Sequence, residues 1–123
     1  MGKTVLIVED DPKSMKLIRD ILSAKGYDTV EASDGKRGVE LARLVRPDLV
    51  LMDIMMPGVD GYAACYEIKS DEFIGKTPVI MVTALGFDLN KALAQRLGAD
   101  GYITKPFSPV QLLDAVSNYL SSS

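Results

Sequence analysis

Three uninterrupted apolar tetrapeptides constrain this chain more than anything else in it: Val5-Leu6-Ile7-Val8, Leu49-Val50-Leu51-Met52 and Val79-Ile80-Met81-Val82. A strand with one face in water alternates apolar and polar residues. A strand covered on both faces does not, and continuous runs of this length are the mark of a parallel sheet sandwiched between helices. Tyr102-Ile103 is a shorter run of the same kind. Thr29-Val30-Glu31-Ala32 alternates instead, and reads as a strand with one wetter face at the edge of the sheet.

Helical patterns fill the intervals. Met15, Ile18, Ile21 and Leu22 share one face of a first helix, whose start is marked by Asp11-Pro12: aspartate suits the N-cap and proline the first helical position. A second helix is expected over about Lys36 to Val45 and a third over about Tyr62 to Ser70, both with irregular stripes. Leu89, Ala92, Leu93 and Leu97 line a fourth, stopped by Gly98. Leu112, Leu113, Val116 and Leu120 line a fifth, opened by the capping-box spacing Ser108-Pro109-Val110-Gln111. Strand and helix thus alternate five times. The expected fold is α/β: a flavodoxin-like, doubly wound, five-stranded parallel sheet of order 2-1-3-4-5 with right-handed crossovers. No linker or repeat divides the chain, so residues 1–123 are expected to form a single domain, with only Ser121-Ser122-Ser123 frayed.

The charge balance narrows the partners. Fourteen basic against seventeen acidic residues give a net charge of −3, with no basic block longer than a pair, so direct nucleic-acid binding has little support. No apolar run approaches the roughly 20 residues of a membrane span. The lone Cys65 fits a reducing cytoplasm. The absence of histidine excludes histidine-based metal sites and triads.

In an open parallel sheet, ligands bind beyond the carboxyl ends of the strands, at the switch point between strands 1 and 3. Strand 1 delivers Glu9-Asp10-Asp11 there, strand 3 Asp53, strand 4 Thr83-Ala84, and strand 5 Thr104-Lys105-Pro106. Taken singly, each has a plainer reading: Asp11 a helix cap, Glu9 or Asp10 a solvated strand end, Asp53 a turn cap, Thr83 a strand residue, Lys105 a surface charge. Their joint arrival at one edge outweighs those readings. Clustered carboxylates without histidine or thiolate are hard oxygen ligands suited to Mg²⁺, or Mn²⁺. Lys105 adds a fixed positive charge and Thr83 a neutral donor for a phosphoryl oxygen. A carboxylate can itself attack phosphorus to give an acyl phosphate. The residues alone leave open whether Asp10 or Asp53 is the nucleophile.

The segments Val5–Asp11, Asp53-Ile54-Met55-Met56-Pro57-Gly58-Val59-Asp60-Gly61, Val82-Thr83-Ala84 and Gly98–Phe107 resemble response-regulator receiver domains, in order and over essentially the whole chain. The resemblance implies that Asp53 is the phosphoacceptor. It implies that Asp10 ligates Mg²⁺ with Glu9 near it, and that the Met55 carbonyl is a further ligand. Thr83 and Lys105 would hold phosphoryl oxygens, Tyr102 would be the switch aromatic, and the Lys105-Pro106 bond would be cis. Met55 and Leu85, both apolar, would leave an attacking water unoriented and self-dephosphorylation slow. The partners implied are a sensor histidine kinase or histidine phosphotransfer protein and a downstream protein target, with the chain a monomer or weak dimer. The target would read the helix 4–strand 5–helix 5 face, including Leu85-Gly86-Phe87. One departure stands out: the first acid is Glu9, where many members carry aspartate.

Three rival readings fit the sequence less well. A haloacid-dehalogenase-like aspartyl phosphatase would want an acid two residues after the nucleophile, where this chain has Met55. A flavin-binding electron carrier would want a hydroxyl- and glycine-rich loop after strand 1, where this chain has three acids. A phosphorylation-independent interaction module would typically lack Asp53 or Lys105.

Overall fold

The continuous apolar runs become the middle of a five-stranded parallel sheet of order β2-β1-β3-β4-β5. The fold is known from a computed structural model, which describes residues 2–54, 56, 61–84 and 91–120. Its strands are β1 (Thr4–Val8), β2 (Asp28–Ala32), β3 (Leu49–Asp53), β4 (Val79–Ala84) and β5 (Gly101–Lys105). Helices α1 (Pro12–Ala24), α2 (Gly35–Val45), α3 (Gly61–Ser70), α4 (Lys91–Arg96) and α5 (Pro109–Leu120) alternate with them. The flavodoxin-like expectation is met, including β2 and β5 as the edges.

The sheet splits the core into two layers because successive residues of a strand point to opposite faces. Val5, Ile7, Leu49, Leu51, Ile80 and Val82 pack under α1 and α5, against Ile18, Leu22, Leu112 and Val116. Leu6, Val8, Val50, Met52 and Met81 pack on the other side, against Val39, Ala42, Ala64, Cys65 and Ile68 of α2 and α3. Each fully buried Leu or Ile contributes about 1.5–3 kcal/mol. That two-sided demand is why these runs tolerate no polar residue.

Helix starts follow the expected chemistry. The Asp11 side chain accepts from Ser14 N–H at 3.0 Å, with Pro12 at the first helical position. Ser108 and Gln111 exchange hydrogen bonds, Gln111 N–H to Ser108 Oγ at 3.1 Å and Ser108 N–H to Gln111 Oε1 at 2.8 Å. Among the described residues helix α4 covers Lys91–Arg96; Ala92 is exposed, and Leu97, expected on the helix, falls beyond its end. The chain turns out at Gly98, whose φ of 94° puts it in the left-handed region that glycine tolerates. Leu85, Gly86, Phe87, Leu89, Met55, the triplet at 121–123 that the sequence was expected to leave frayed, and the side chain of Leu93 lie outside the described residues.

Candidate phosphoacceptor site

Parallel pairing sets which strand ends arrive together. Asp53 is the last residue of β3 and pairs with Val82, placing Thr83 one position further along β4. Thr83 pairs with Thr104, and Ala84 with Lys105, the last residue of β5. Glu9 follows β1 directly, its N–H held by the Ala32 carbonyl of the neighbouring strand at 3.0 Å. Four strands therefore contribute one polar residue or more to the same edge, as expected from the sequence.

The acids converge. Ligand oxygens of Glu9, Asp10 and Asp53 all lie within 4.8 Å of one another. Glu9 and Asp53 are buried and Asp10 is exposed, so the cluster opens to solvent on the Asp10 side. An all-carboxylate donor set with one open side fits a hard divalent cation that keeps part of its water. Met55, the further ligand expected from the resemblance, lies outside the described residues.

Lys105 enters from the opposite strand. Its ammonium donates to Glu9 Oε1 at 2.5 Å and stands 3.9 Å from Asp53 Oδ2. A third neighbour, Ser14 Oγ on the first turn of α1, lies at 3.4 Å. The Lys105-Pro106 bond is cis, as the resemblance implied. Thr83 is 5% exposed, and among the described residues its Oγ1 is a buried side-chain atom without a hydrogen-bond partner. A buried hydroxyl left unpaired costs about 1–3 kcal/mol, so its retention at this edge points to a partner that arrives with function. Tyr102 points the other way: it is 46% exposed on the outer strand.

Ser14 escaped the sequence reading of the site; its only signal was a position three residues after the Asp11 cap, one turn from the acids. Gly61 was part of the motif but was given no role of its own. A Cβ there would overlap the Asp53 carbonyl oxygen and the Ile54 Cα, so α3 begins hard against the Asp53 backbone. Glycine at that point of the motif is a steric requirement.

Acids at the ends of β1 and β3, a lysine after β5 and an orphaned threonine hydroxyl on β4 form one constellation. The family model of the response regulator receiver domain matches residues 5–117. The chain belongs to that family. It is similar to the polar-differentiation response regulator DivK of Brucella anthropi, with 38% identity over 123 residues that span both chains entirely. Among solved structures it resembles the receiver domain of a signal transduction histidine kinase from Syntrophus aciditrophicus. That match has 35% identity and a TM-score of 0.89, covering 98% of this chain and 92% of the other. It also resembles the receiver domain of a sensor histidine kinase from Pseudomonas aeruginosa described with a magnesium ion coordinated in the active site cleft. There the identity is 30% and the TM-score 0.90, over 98% and 99% of the two chains. Receiver domains serve two-component signalling, where histidine kinases are their partners. No described helix is long and apolar enough to cross a membrane.

Proposed function

We propose that the whole of residues 1–123 acts as one receiver that takes a phosphoryl group from a partner's phosphohistidine onto Asp53. The observation that carries this reading is the buried, unpartnered Thr83 hydroxyl at the strand edge where the Lys105 ammonium and the Asp53 carboxylate stand 3.9 Å apart. A threonine donor, an ammonium and a carboxylate nucleophile are what an incoming tetrahedral anion requires.

In the proposed transfer, an Asp53 carboxylate oxygen forms the new O–P bond as the P–N bond to the donor imidazole breaks. The bonding pair returns to the imidazole nitrogen. Thr83 Oγ–H donates to one phosphoryl oxygen and gains the partner it lacks at rest. The Lys105 ammonium donates to another. Glu9, Asp10 and Asp53 would hold Mg²⁺ or Mn²⁺, with the Met55 carbonyl as a further ligand. Such a cation supplies charge neutralisation between the carboxylates and the phosphoryl oxygens. Drawing Thr83 toward the phosphoryl group frees space along β4, into which Tyr102, now outward, can turn. The helix 4–strand 5–helix 5 face then changes shape for a downstream protein. The role is signalling in a reducing cytoplasm, where buried Cys65, its thiol pushed up to about 11 by burial, stays unreactive.

Incubation with acetyl phosphate and Mg²⁺ tests the reading. One phosphoryl mass should be added, and EDTA should prevent it. Labelling of Asp53→Asn at the parental rate would overturn the assignment.

A further inference from the structure

The carboxylate of Glu9 is already spoken for. Oε1 accepts from the Lys105 ammonium at 2.5 Å, and Oε2 accepts from the Asp11 N–H at 3.1 Å. The side chain is 2% exposed, so water cannot replace either partner without a rearrangement. The circuit closes through the start of α1. The Asp11 side chain accepts from Ser14 N–H at 3.0 Å, and Ser14 Oγ lies 3.4 Å from the Lys105 ammonium. Glu9, Asp11, Ser14 and Lys105 therefore form a ring that joins the end of β1, the first turn of α1 and the end of β5. Within it the ammonium sits much nearer Glu9 than the Asp53 oxygen at 3.9 Å.

Building on the site proposed above, we infer that Glu9 is the resting anchor of Lys105, and that a divalent cation and Lys105 compete for it. Glu9 can turn an oxygen to the cation only by loosening Lys105. That release sends the ammonium toward Asp53, the other described carboxylate it already approaches, at 3.9 Å, where the phosphoryl group is to arrive. The length of the glutamate arm is what makes the contact: an aspartate at this position would be one methylene shorter and could not hold the ammonium at hydrogen-bonding distance without moving the strand end. Ser14 is a positioning residue, the second hold on the resting ammonium. Cation binding thereby primes Lys105, so metal loading and lysine placement become one event. An open acidic pocket beside an independent lysine would load its metal without moving the lysine.

The test is a double-mutant cycle on Mg²⁺ affinity, measured by calorimetry on the intact chain without any phosphodonor. Lys105→Met should tighten Mg²⁺ binding about tenfold in the Glu9 protein and less than about threefold in a Glu9→Asp background, since contacting groups couple while separated charges add. Equal tightening in both backgrounds would show Lys105 acting as a remote charge only, and would overturn the proposal. Nitrogen-15 NMR of the Lys105 ammonium gives a second readout. Its protection from exchange should fall as Mg²⁺ is added and fall partway in Ser14→Ala. Undiminished protection at saturating Mg²⁺ would also overturn the proposal. The underlying site reading fails differently: Mg²⁺ would then shift neither Asp10 nor Asp53, and both proposals would go together. Shifts at those two acids with an additive cycle would remove the coupling alone.

Discussion

The two ends of the sheet are built on opposite terms. At the amino end, polar groups are matched. Thr4 N–H donates to Asp48 Oδ2 at 2.7 Å, and Asp48 N–H returns a bond to Thr4 O at 2.8 Å. Asp100 Oδ2 accepts from Val79 N–H at 2.8 Å and from the Lys69 ammonium at 3.0 Å, and that ammonium also donates to Thr77 O at 2.9 Å. At the carboxyl end, three carboxylates crowd within 4.8 Å, and among the described residues the Thr83 hydroxyl is buried without a partner. The amino end pairs what it buries; the carboxyl end pairs Glu9 and Lys105 but tolerates carboxylate crowding and a buried hydroxyl, both of which cost stability.

Substitutions should therefore separate function from stability according to the end they touch. The largest effect is expected from Asp53→Asn, which should abolish phosphoryl labelling while leaving the melting temperature equal or higher, because one of three mutually repelling charges is gone. A lower melting temperature would show that the carboxyl end is not strained. Gly61→Ala comes next. The added methyl meets the Asp53 carbonyl oxygen, so urea unfolding should show a loss of about 1–3 kcal/mol together with slower labelling. At the amino end, Asp100→Ala should cost about 1–2 kcal/mol, after allowance for its partial exposure, with labelling intact. Thr83→Val should reverse the sign. It removes the orphan hydroxyl at nearly constant shape, so stability should rise by about 1 kcal/mol while labelling slows. A less stable Thr83→Val protein would mean that the hydroxyl is paired at rest.

The smallest contrast is one of pH. Asp11, at the carboxyl end, is held below its ordinary value of 3.8 chiefly by the Ser14 N–H. Asp71, at the other end, is lowered chiefly by the Phe73 N–H and then by Arg43. Depressed carboxyls contribute stability that is present above 3.8 and is lost as pH falls through the folded-state value. Acid titration of the melting temperature should thus lose a small increment below about pH 4. Asp11→Asn and Asp71→Asn should each remove part of that slope.

The sheet was legible in the sequence because burial on both faces leaves no room for a polar residue, and three runs showed it. Helices α2 and α3 were less so for a physical reason. Their inward positions include Gly35, Gly38, Ala42, Gly61, Ala64 and Cys65, small residues that let the helices approach closely but carry little apolar signal. The membership of the site was legible from the strand-end rule; Asp53 over Asp10 as the acceptor came from the family resemblance. The partnership of Lys105 with Glu9 was hidden, because it depends on the reach of two long side chains and on where α1 places Ser14. Neither is written in residue spacing.

Glu9 and Lys105 are 96 residues apart in the chain, yet they touch. The interior strand β1 is made first, and the strand that carries the lysine is the last of the five. During synthesis the acids at the ends of β1 and β3 emerge before Lys105 does. A nascent or truncated polypeptide in that condition has Asp53 without the ammonium that stands 3.9 Å from it in the folded chain. On the proposed reading, the ability to receive a phosphoryl group is withheld until translation has delivered the final strand.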